Sequence, residues 1–218
     1  MQEAKSSKRY SKKEEIANCV THGIGIVVSL VGLIILLIYA IMEKSVLSIV
    51  AFSIYGFCSI ALYASSTIYH SIRNEKWKAI SRIFDHSSIF LFIAGTYTPV
   101  ALLALEGYWR IGILAGIWII AILGIGFKFF TYPNFDQHKV ASLLLYILMG
   151  WLIVIAIRPM LQAIPFGFFL WLLGGGVVYT LGTIFYSNKK IPYNHAIWHL
   201  FVLLGSVLHF VGIFRYLA

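Results

Sequence analysis

Long apolar stretches, separated by short polar segments, run along almost the whole of this 218-residue chain. A helix needs about 20 apolar residues to cross the roughly 30 Å hydrocarbon core of a bilayer. The stretches that reach this length are residues 19–42, 46–70, 84–105, 109–129, 139–158, 163–186 and 195–216. The pattern therefore predicts an all-α integral membrane protein, a bundle of seven transmembrane helices.

The distribution of basic residues predicts how these helices are oriented. With the N-terminus in the cytoplasm, 13 of the 17 lysines and arginines lie in cytoplasmic segments, where short loops rich in these residues are retained. The exceptions are Lys44, Arg110, Arg158 and Arg215. We therefore predict a cytoplasmic N-terminus, an extracytoplasmic C-terminus, a basic cytoplasmic tail over residues 1–18, and a single membrane domain over residues 19–218.

Composition and charge agree with a membrane protein. The chain is 60% hydrophobic and only 11% charged, which is unlike a soluble domain. Its net charge of +9 has an ordinary explanation, because basic loops at the inner surface meet anionic lipid headgroups. The expected partners are thus membrane lipids of the inner leaflet rather than nucleic acid, and the expected location is the plasma membrane.

Polar and ionisable residues inside the predicted spans gather at their cytoplasmic ends. Burying such groups in lipid is costly, so each of them indicates a function or a partner. They are Glu15, Asn18 and His22 in the first span, Ser66 and His70 in the second, Asp85 and His86 in the third, and Asn194, His195 and His199 in the seventh. The second, third and seventh spans alternate in direction, yet their clusters reach one membrane surface, which indicates a shared site.

Histidine spacing at this surface predicts a metal site. His195 and His199 lie one helical turn apart, so both imidazoles can reach one ion at about 2.1 Å. His70, at the same predicted depth on another helix, would complete three neutral nitrogen ligands with one open position, a set that suits zinc. Bound zinc lowers the pKa of its water to about 7, and Asp85 could orient or deprotonate that water.

The pattern leaves alternatives for the ligands and their surroundings. The histidines that could substitute are His22, His86 and His138. Glu15, Asn18 and His22 share one face of the first span, and we expect them around the metal. Ser66, one turn before His70, is a further candidate site residue, whereas an isolated membrane histidine such as His209 is usually a core residue between helices.

Four blocks of the sequence resemble the bacterial hemolysin III family, which is related to the progestin and adipoQ receptors and more distantly to alkaline ceramidases. They are EEIANCVTH from residue 14, STIYH from residue 66, FDHSSIFLFIAGTYTP from residue 84 and HAIWH from residue 195. The resemblance covers almost the whole chain. It implies zinc on His70, His195 and His199, with Asp85 beside the metal-bound water and Ser66 close by.

The resemblance also implies candidate functions. In the related receptors and ceramidases, the similar site is associated with hydrolysis of the amide bond of a ceramide-type lipid, which makes this chain a candidate zinc-dependent lipid hydrolase. Bacterial relatives are linked to control of membrane fluidity, and the family name implies lysis of red cells. A cytolysin would need oligomers to form a pore, because no helix carries the polar stripe of a wide channel.

A sensor or receptor with a structural zinc is the remaining alternative. Structural zinc has four protein ligands, whereas catalytic zinc keeps one position for water. A fourth side chain on the metal, with His22 or Asp85 as the residues to check, would therefore favour the sensor.

Overall fold

The computed structural model describes residues 10–134 and 137–218. Long helices make up most of this part of the chain, and we number seven of them α1 to α7. Their bounds are Lys12–Met42, Val46–Ser71, Glu75–Ala104, Gly107–Phe130, Lys139–Ala163, Phe166–Ser187 and Asn194–Leu217. Each is long and apolar enough to cross a membrane. The predicted all-α, seven-helix membrane bundle is therefore confirmed.

Two of these helices change their hydrogen-bonding pattern along their length. Helix α3 is α-helical over Glu75–Pro99 and ends in a π-helical turn over Val100–Ala104. Pro99 has no amide hydrogen, so the regular backbone pattern is interrupted at this residue. Helix α5 is α-helical at both ends, with a 3-10 segment over Leu152–Ala156 between them.

The helices α1 and α3 begin earlier than their hydropathy predicts. Helix α1 starts at Lys12, because Ser11 and Glu14 form a capping box in which each side chain bonds the other's backbone amide. Residues 12–18, predicted as tail, are thus the first turns of α1. Helix α3 starts at Glu75 behind the Asn74 cap, so the predicted start near residue 84 is wrong. Hydropathy detects only the apolar part of a helix whose polar end projects from the lipid.

Part of the predicted basic tail lies outside the described residues. Its members there are Lys5, Lys8 and Arg9. The tail residues that the structure does describe are Tyr10, the cap residue Ser11 and the first turns of α1.

The bundle closes because α7 packs against α1 as well as against its sequence neighbour α6. Helices α1 to α4 pack in sequence order, and α3 is the most deeply buried of the seven. Phe52, Tyr63 and Phe90 are fully buried between helices, whereas Ile34 and Leu148 are more than half exposed on the outer surface. Apolar side chains on the outside are expected where the solvent is lipid.

Helices that alternate in direction bring seven ends together at one face of the bundle, which we call the site end. It comprises the starts of α1, α3, α5 and α7 and the ends of α2, α4 and α6. Its position on the cytoplasmic side follows from the charge distribution and stays a prediction.

Candidate metal centre

Three buried histidines meet at the site end. His70 lies in the last turn of α2, and His195 and His199 lie in the first turns of α7. Each offers a nitrogen, and the three nitrogens lie within 4.8 Å of one another. The ring centroids of His195 and His199 are 4.4 Å apart, and that of His70 is 5.1 Å and 5.2 Å from them. The group can therefore hold a metal ion.

The start of α7 is held in place by contacts with α1 and α6. Tyr193, the residue before the helix, adopts the left-handed backbone conformation at φ 55°, which costs a non-glycine residue about 1 kcal/mol. Its amide donates to a carboxylate oxygen of Glu14 at 3.4 Å, and the side chain of Asn194 donates to the carbonyl of Phe185 at 3.0 Å. These bonds turn the chain sharply and place His195 inside the bundle.

The orientation of the His70 ring is set by Glu15. The Nδ1 atom of His70 lies 2.6 Å from Oε2 of Glu15, and Lys78 donates to the other carboxylate oxygen at 2.6 Å. A proton on Nδ1, assigned from these partners, leaves the lone pair on Nε2. Histidine ligands in metal sites have this arrangement, in which an outer carboxylate fixes the ring and increases its basicity.

The ring of His199 is held by α1 in a similar way. Its Nδ1 donates to the backbone carbonyl of Asn18 at 3.2 Å and lies 3.1 Å from the hydroxyl of Thr21. The side-chain amide of Asn18 lies 3.4 Å from Nδ1 of His70. Asn18 thus contacts two of the three histidines, and Nε2 of His199 is left as its acceptor nitrogen.

Unpartnered nitrogens show that the group fits a metal. Nε2 of His70 and Nδ1 of His195 are buried and have no hydrogen-bond partner within the described ranges. A buried polar atom without a partner costs about 1–3 kcal/mol, and a bound ion would remove that cost. A donor set of imidazoles alone suits zinc and the neighbouring transition metals rather than magnesium or calcium.

Ser66 and Asp85 lie near the histidines but outside the group of ligand atoms. Ser66 is 1% exposed, and its hydroxyl has no partner in the part of the chain that the structure describes. Asp85 is buried, and its carboxylate faces Nδ1 of His86 at 3.3 Å. Neither carboxylate oxygen of Asp85 belongs to the group of ligand atoms that lie within 4.8 Å of one another. A bridging water would be needed between Asp85 and a bound ion.

His22 packs on the group without joining it. Its ring stacks on that of His199 with centroids 3.5 Å apart and meets Tyr63 edge-on at 5.1 Å. Both of its nitrogens are buried and lack a partner among the described residues. His86 and His138, the other alternative ligands, are also absent from the group.

The histidines open onto a large cavity at the site end. Its volume is about 770 Å³, and both His70 and His195 form part of its wall. A space of this size accommodates a ligand much larger than a water molecule.

Comparison with known proteins assigns the family. The family model described as "Haemolysin-III related" matches residues 10–210. The chain is 48% identical to "Hemolysin-3" of Bacillus cereus, over 94% of this chain and 92% of that protein. It is 44% identical to the "Hemolysin-3 homolog" of Bacillus subtilis (strain 168), over 95% and 96% of the two chains. The chain belongs to the haemolysin-III related family.

Family membership confirms the resemblance found in the four sequence blocks. A human relative, "Monocyte to macrophage differentiation factor", is 31% identical over 94% of this chain and 84% of its own length. Together with the seven apolar helices, the match to the haemolysin-III related family shows a multi-pass membrane protein. A plasma-membrane location agrees with the bacterial relatives.

Lys128 is a polar residue of the site end that the sequence analysis used only to orient the helices. The charge pattern assigns it to a cytoplasmic segment, but it is 1% exposed within α4. Its ammonium donates to the hydroxyl of Ser142 and lies 5.6 Å from the ring centre of Tyr146. Tyr146 in turn donates to the carbonyl of His86 at 2.8 Å. Lys128, Ser142 and Tyr146 are therefore connected to the polar residues at the start of α3. Hydropathy places Lys128 at the end of the predicted span 109–129 but does not show that its side chain is buried between helices.

Tyr10 is a second residue that sequence analysis missed. Its ring stacks on that of His195 with centroids 5.1 Å apart, and it also forms part of the cavity wall. Burial raises the pKa of its phenol above the ordinary value, so the hydroxyl stays protonated at neutral pH. It precedes the first helix in a polar segment, where hydropathy indicates only a tail.

The contact between Glu15 and His70 predicts an effect on metal affinity. Glu15→Gln removes the charge that holds the Nδ1 proton of His70, and we expect zinc affinity to fall by about 10- to 100-fold. Competition with a colorimetric chelator measures the change. Glu14→Gln is the matched control, because glutamine also serves the capping box at this position. Equal losses in the two variants would contradict the role of Glu15.

Proposed function

We propose that this protein is a zinc-dependent hydrolase that cleaves the acyl amide bond of a ceramide-like membrane lipid at the site end. The observation that carries the proposal is the buried group of His70, His195 and His199 at the wall of the 770 Å³ cavity. When bound there, zinc supplies the Lewis acidity that makes water a nucleophile near neutral pH.

The protein's own residues have distinct tasks in this proposal. The three histidines hold the ion, and Glu15 and Asn18 keep two of the rings oriented. Asp85 accepts a proton from the attacking water through a bridging water and returns it to the amine as the amide carbon–nitrogen bond breaks. The buried hydroxyl of Ser66 donates a hydrogen bond to the acyl group and helps to position it.

The ligand count favours a hydrolase over a sensor with structural zinc. A structural site would need a fourth protein ligand, for which His22 and Asp85 are the nearest candidates. Within residues 10–134 and 137–218, neither residue belongs to the group whose ligand atoms lie within 4.8 Å of one another. This supports an open position for water.

The interior of the bundle gives no support to a pore within one chain. "Hemolysin-3", the printed name of the Bacillus cereus relative, suggests lysis, and a cytolysin is the second function to test. Yet Phe52, Tyr63 and Phe90 are fully buried between helices, and a cavity between α1, α2 and α7 has a volume of only about 20 Å³. That space holds about one water molecule, so lysis would depend on channels between several copies.

Hydrolysis by purified protein tests the proposal. We expect zinc-loaded protein to release fatty acid from ceramide faster than from ester lipids of the same chain length, and His195→Ala to lower this rate by at least about 10³-fold. His138→Ala is the matched control, since His138 is at the same end but outside the ligand group. Absence of turnover by fully zinc-loaded protein, together with dye leakage from liposomes that His195→Ala leaves unchanged, would favour the cytolysin.

A further inference from the structure

Basic side chains from five parts of the chain converge on the cavity beside the histidines. They come from the start of α1, the α2–α3 connection, α3, α5 and the α6–α7 connection. They are Lys12, Arg73, Lys78, Arg82, Lys139 and Lys189. Three carboxylates, those of Glu14, Glu15 and Glu75, also line the cavity. Among the residues that the structure describes, and leaving the histidines out of the count, the cavity wall therefore carries twice as many cationic as anionic side chains.

Two of these carboxylates face donors of the protein itself. Glu15 lies 2.6 Å from both Nδ1 of His70 and Nζ of Lys78. Glu14 accepts from the backbone amides of Ser11 at 2.8 Å and Tyr193 at 3.4 Å. Glu15 and Lys78 neutralise each other, and the remaining wall still carries more cationic than anionic side chains, so the potential that the cavity presents to a ligand stays positive.

Phenol groups add neutral hydrogen-bond donors to the same wall. Tyr10, Tyr69 and Tyr186 line the cavity, and the centre of each ring lies at most 6.0 Å from the ring centre of His70 or His195. Lysine, arginine and phenol donors together match the oxygen atoms of a phosphate group.

Apolar residues connect the cavity to the outer surface of the bundle. Ile16 of α1 and Val140 of α5 line the cavity, and they are 54% and 70% exposed. An aliphatic chain that leaves the cavity along these residues would stay in contact with apolar groups. The wall thus combines a cationic, donor-rich region with an apolar exit, the two parts that an amphiphile requires.

We propose that the cavity binds the phosphate headgroup of an anionic membrane lipid. The inference rests on the proposed function in taking a membrane lipid as the occupant, and it narrows the substrate class. Ceramide itself has a neutral headgroup, whereas the excess of cations on the wall favours a member of the ceramide-like class whose headgroup carries phosphate. The acyl amide of such a lipid lies close to its headgroup and would reach the histidines.

Native mass spectrometry of the full-length protein in detergent tests this inference. The probes are short-chain phosphatidylglycerol and short-chain phosphatidylcholine at equal concentration, which differ in net charge. We expect wild-type protein to bind the anionic lipid at least about tenfold better. Lys12→Gln with Arg73→Gln should abolish that preference, because each of the two charges is worth about fivefold in affinity.

Neighbouring residues provide a matched control for the charge itself. Lys13 and Lys76 are exposed at the same end but do not line the cavity. Lys13→Gln with Lys76→Gln should therefore leave the preference unchanged. An equal fall in the two double variants would mean that only general surface charge attracts the lipid, and this would overturn the inference.

Two further outcomes separate this inference from its alternatives. Inorganic phosphate that displaces the anionic lipid at equal concentration would assign the cavity to a free anion and overturn the lipid as its occupant. The binding measurement needs no turnover, so it is independent of the hydrolase assay. A preference for anionic lipid without hydrolysis would reject the proposed function alone, and hydrolysis without the preference would reject this inference alone.

Discussion

Protein purified without added metal is expected to contain about one zinc ion per chain, and His199→Ala is expected to contain almost none. His199 is one of only three ligands, and two ligands are too few for a stable zinc site. The loss should exceed the effect expected for Glu15→Gln, which leaves all three ligands in place. Metal analysis by inductively coupled plasma mass spectrometry measures the content directly, and His70→Ala and His195→Ala should behave alike.

His209→Ala is the control for this experiment. His209 lies on the same helix as His199 but contacts the carbonyl of Leu172 at 3.0 Å, away from the metal group. The control should keep its zinc. Equal zinc in the His199→Ala and wild-type proteins would show that the three histidines do not hold the metal.

A single added methyl group at Gly25 is expected to lower the free energy of unfolding by about 3 kcal/mol. A Cβ atom at this position would overlap the ring of Tyr63. That ring is fully buried, its hydroxyl lies 2.6 Å from the hydroxyl of Ser206, and its plane is nearly perpendicular to the neighbouring ring of His22. Tyr63 therefore has no space to move into, and α1 must shift away from α2.

Gly23→Ala tests whether this loss comes from the close contact. Gly23 lies two residues away on the same helix, and a Cβ atom there meets nothing within 4 Å. Helix propensity alone favours alanine over glycine by up to about 1 kcal/mol, so Gly23→Ala should be neutral or stabilising. Unfolding in mixed detergent micelles compares the two variants. A similar loss in both would exclude steric overlap with Tyr63 as the cause.

Much of the fold is visible in the sequence because lipid imposes a simple rule. Each crossing needs about 20 apolar residues, so the seven helices can be recognised without knowing how they pack. The polar starts at Lys12 and Glu75 escape this rule, since capping by Ser11 and Asn74 rather than hydropathy decides where those helices begin.

The site is only partly visible in the sequence. The spacing of His195 and His199 predicts a shared face, because residues one helical turn apart point in the same direction. The spacing does not say which histidine on another helix joins them; it favoured His70 and left His22, His86 and His138 as alternatives. His22 lies only 3.5 Å from His199 between ring centres and is still outside the ligand group. Such a distinction depends on the rotation of α1 and α2 about their axes.

The sequence by itself determined the class of protein, its seven helices and the gathering of polar residues at one end, because each of these depends on local composition and helical periodicity. The tertiary structure alone decided which polar groups touch. It brought Nδ1 of His70 to Glu15, buried Lys128 beside Ser142, and left Asp85 outside the group of three histidines. The physical reason is that these contacts join different helices, whose packing depends on side-chain shape rather than hydropathy.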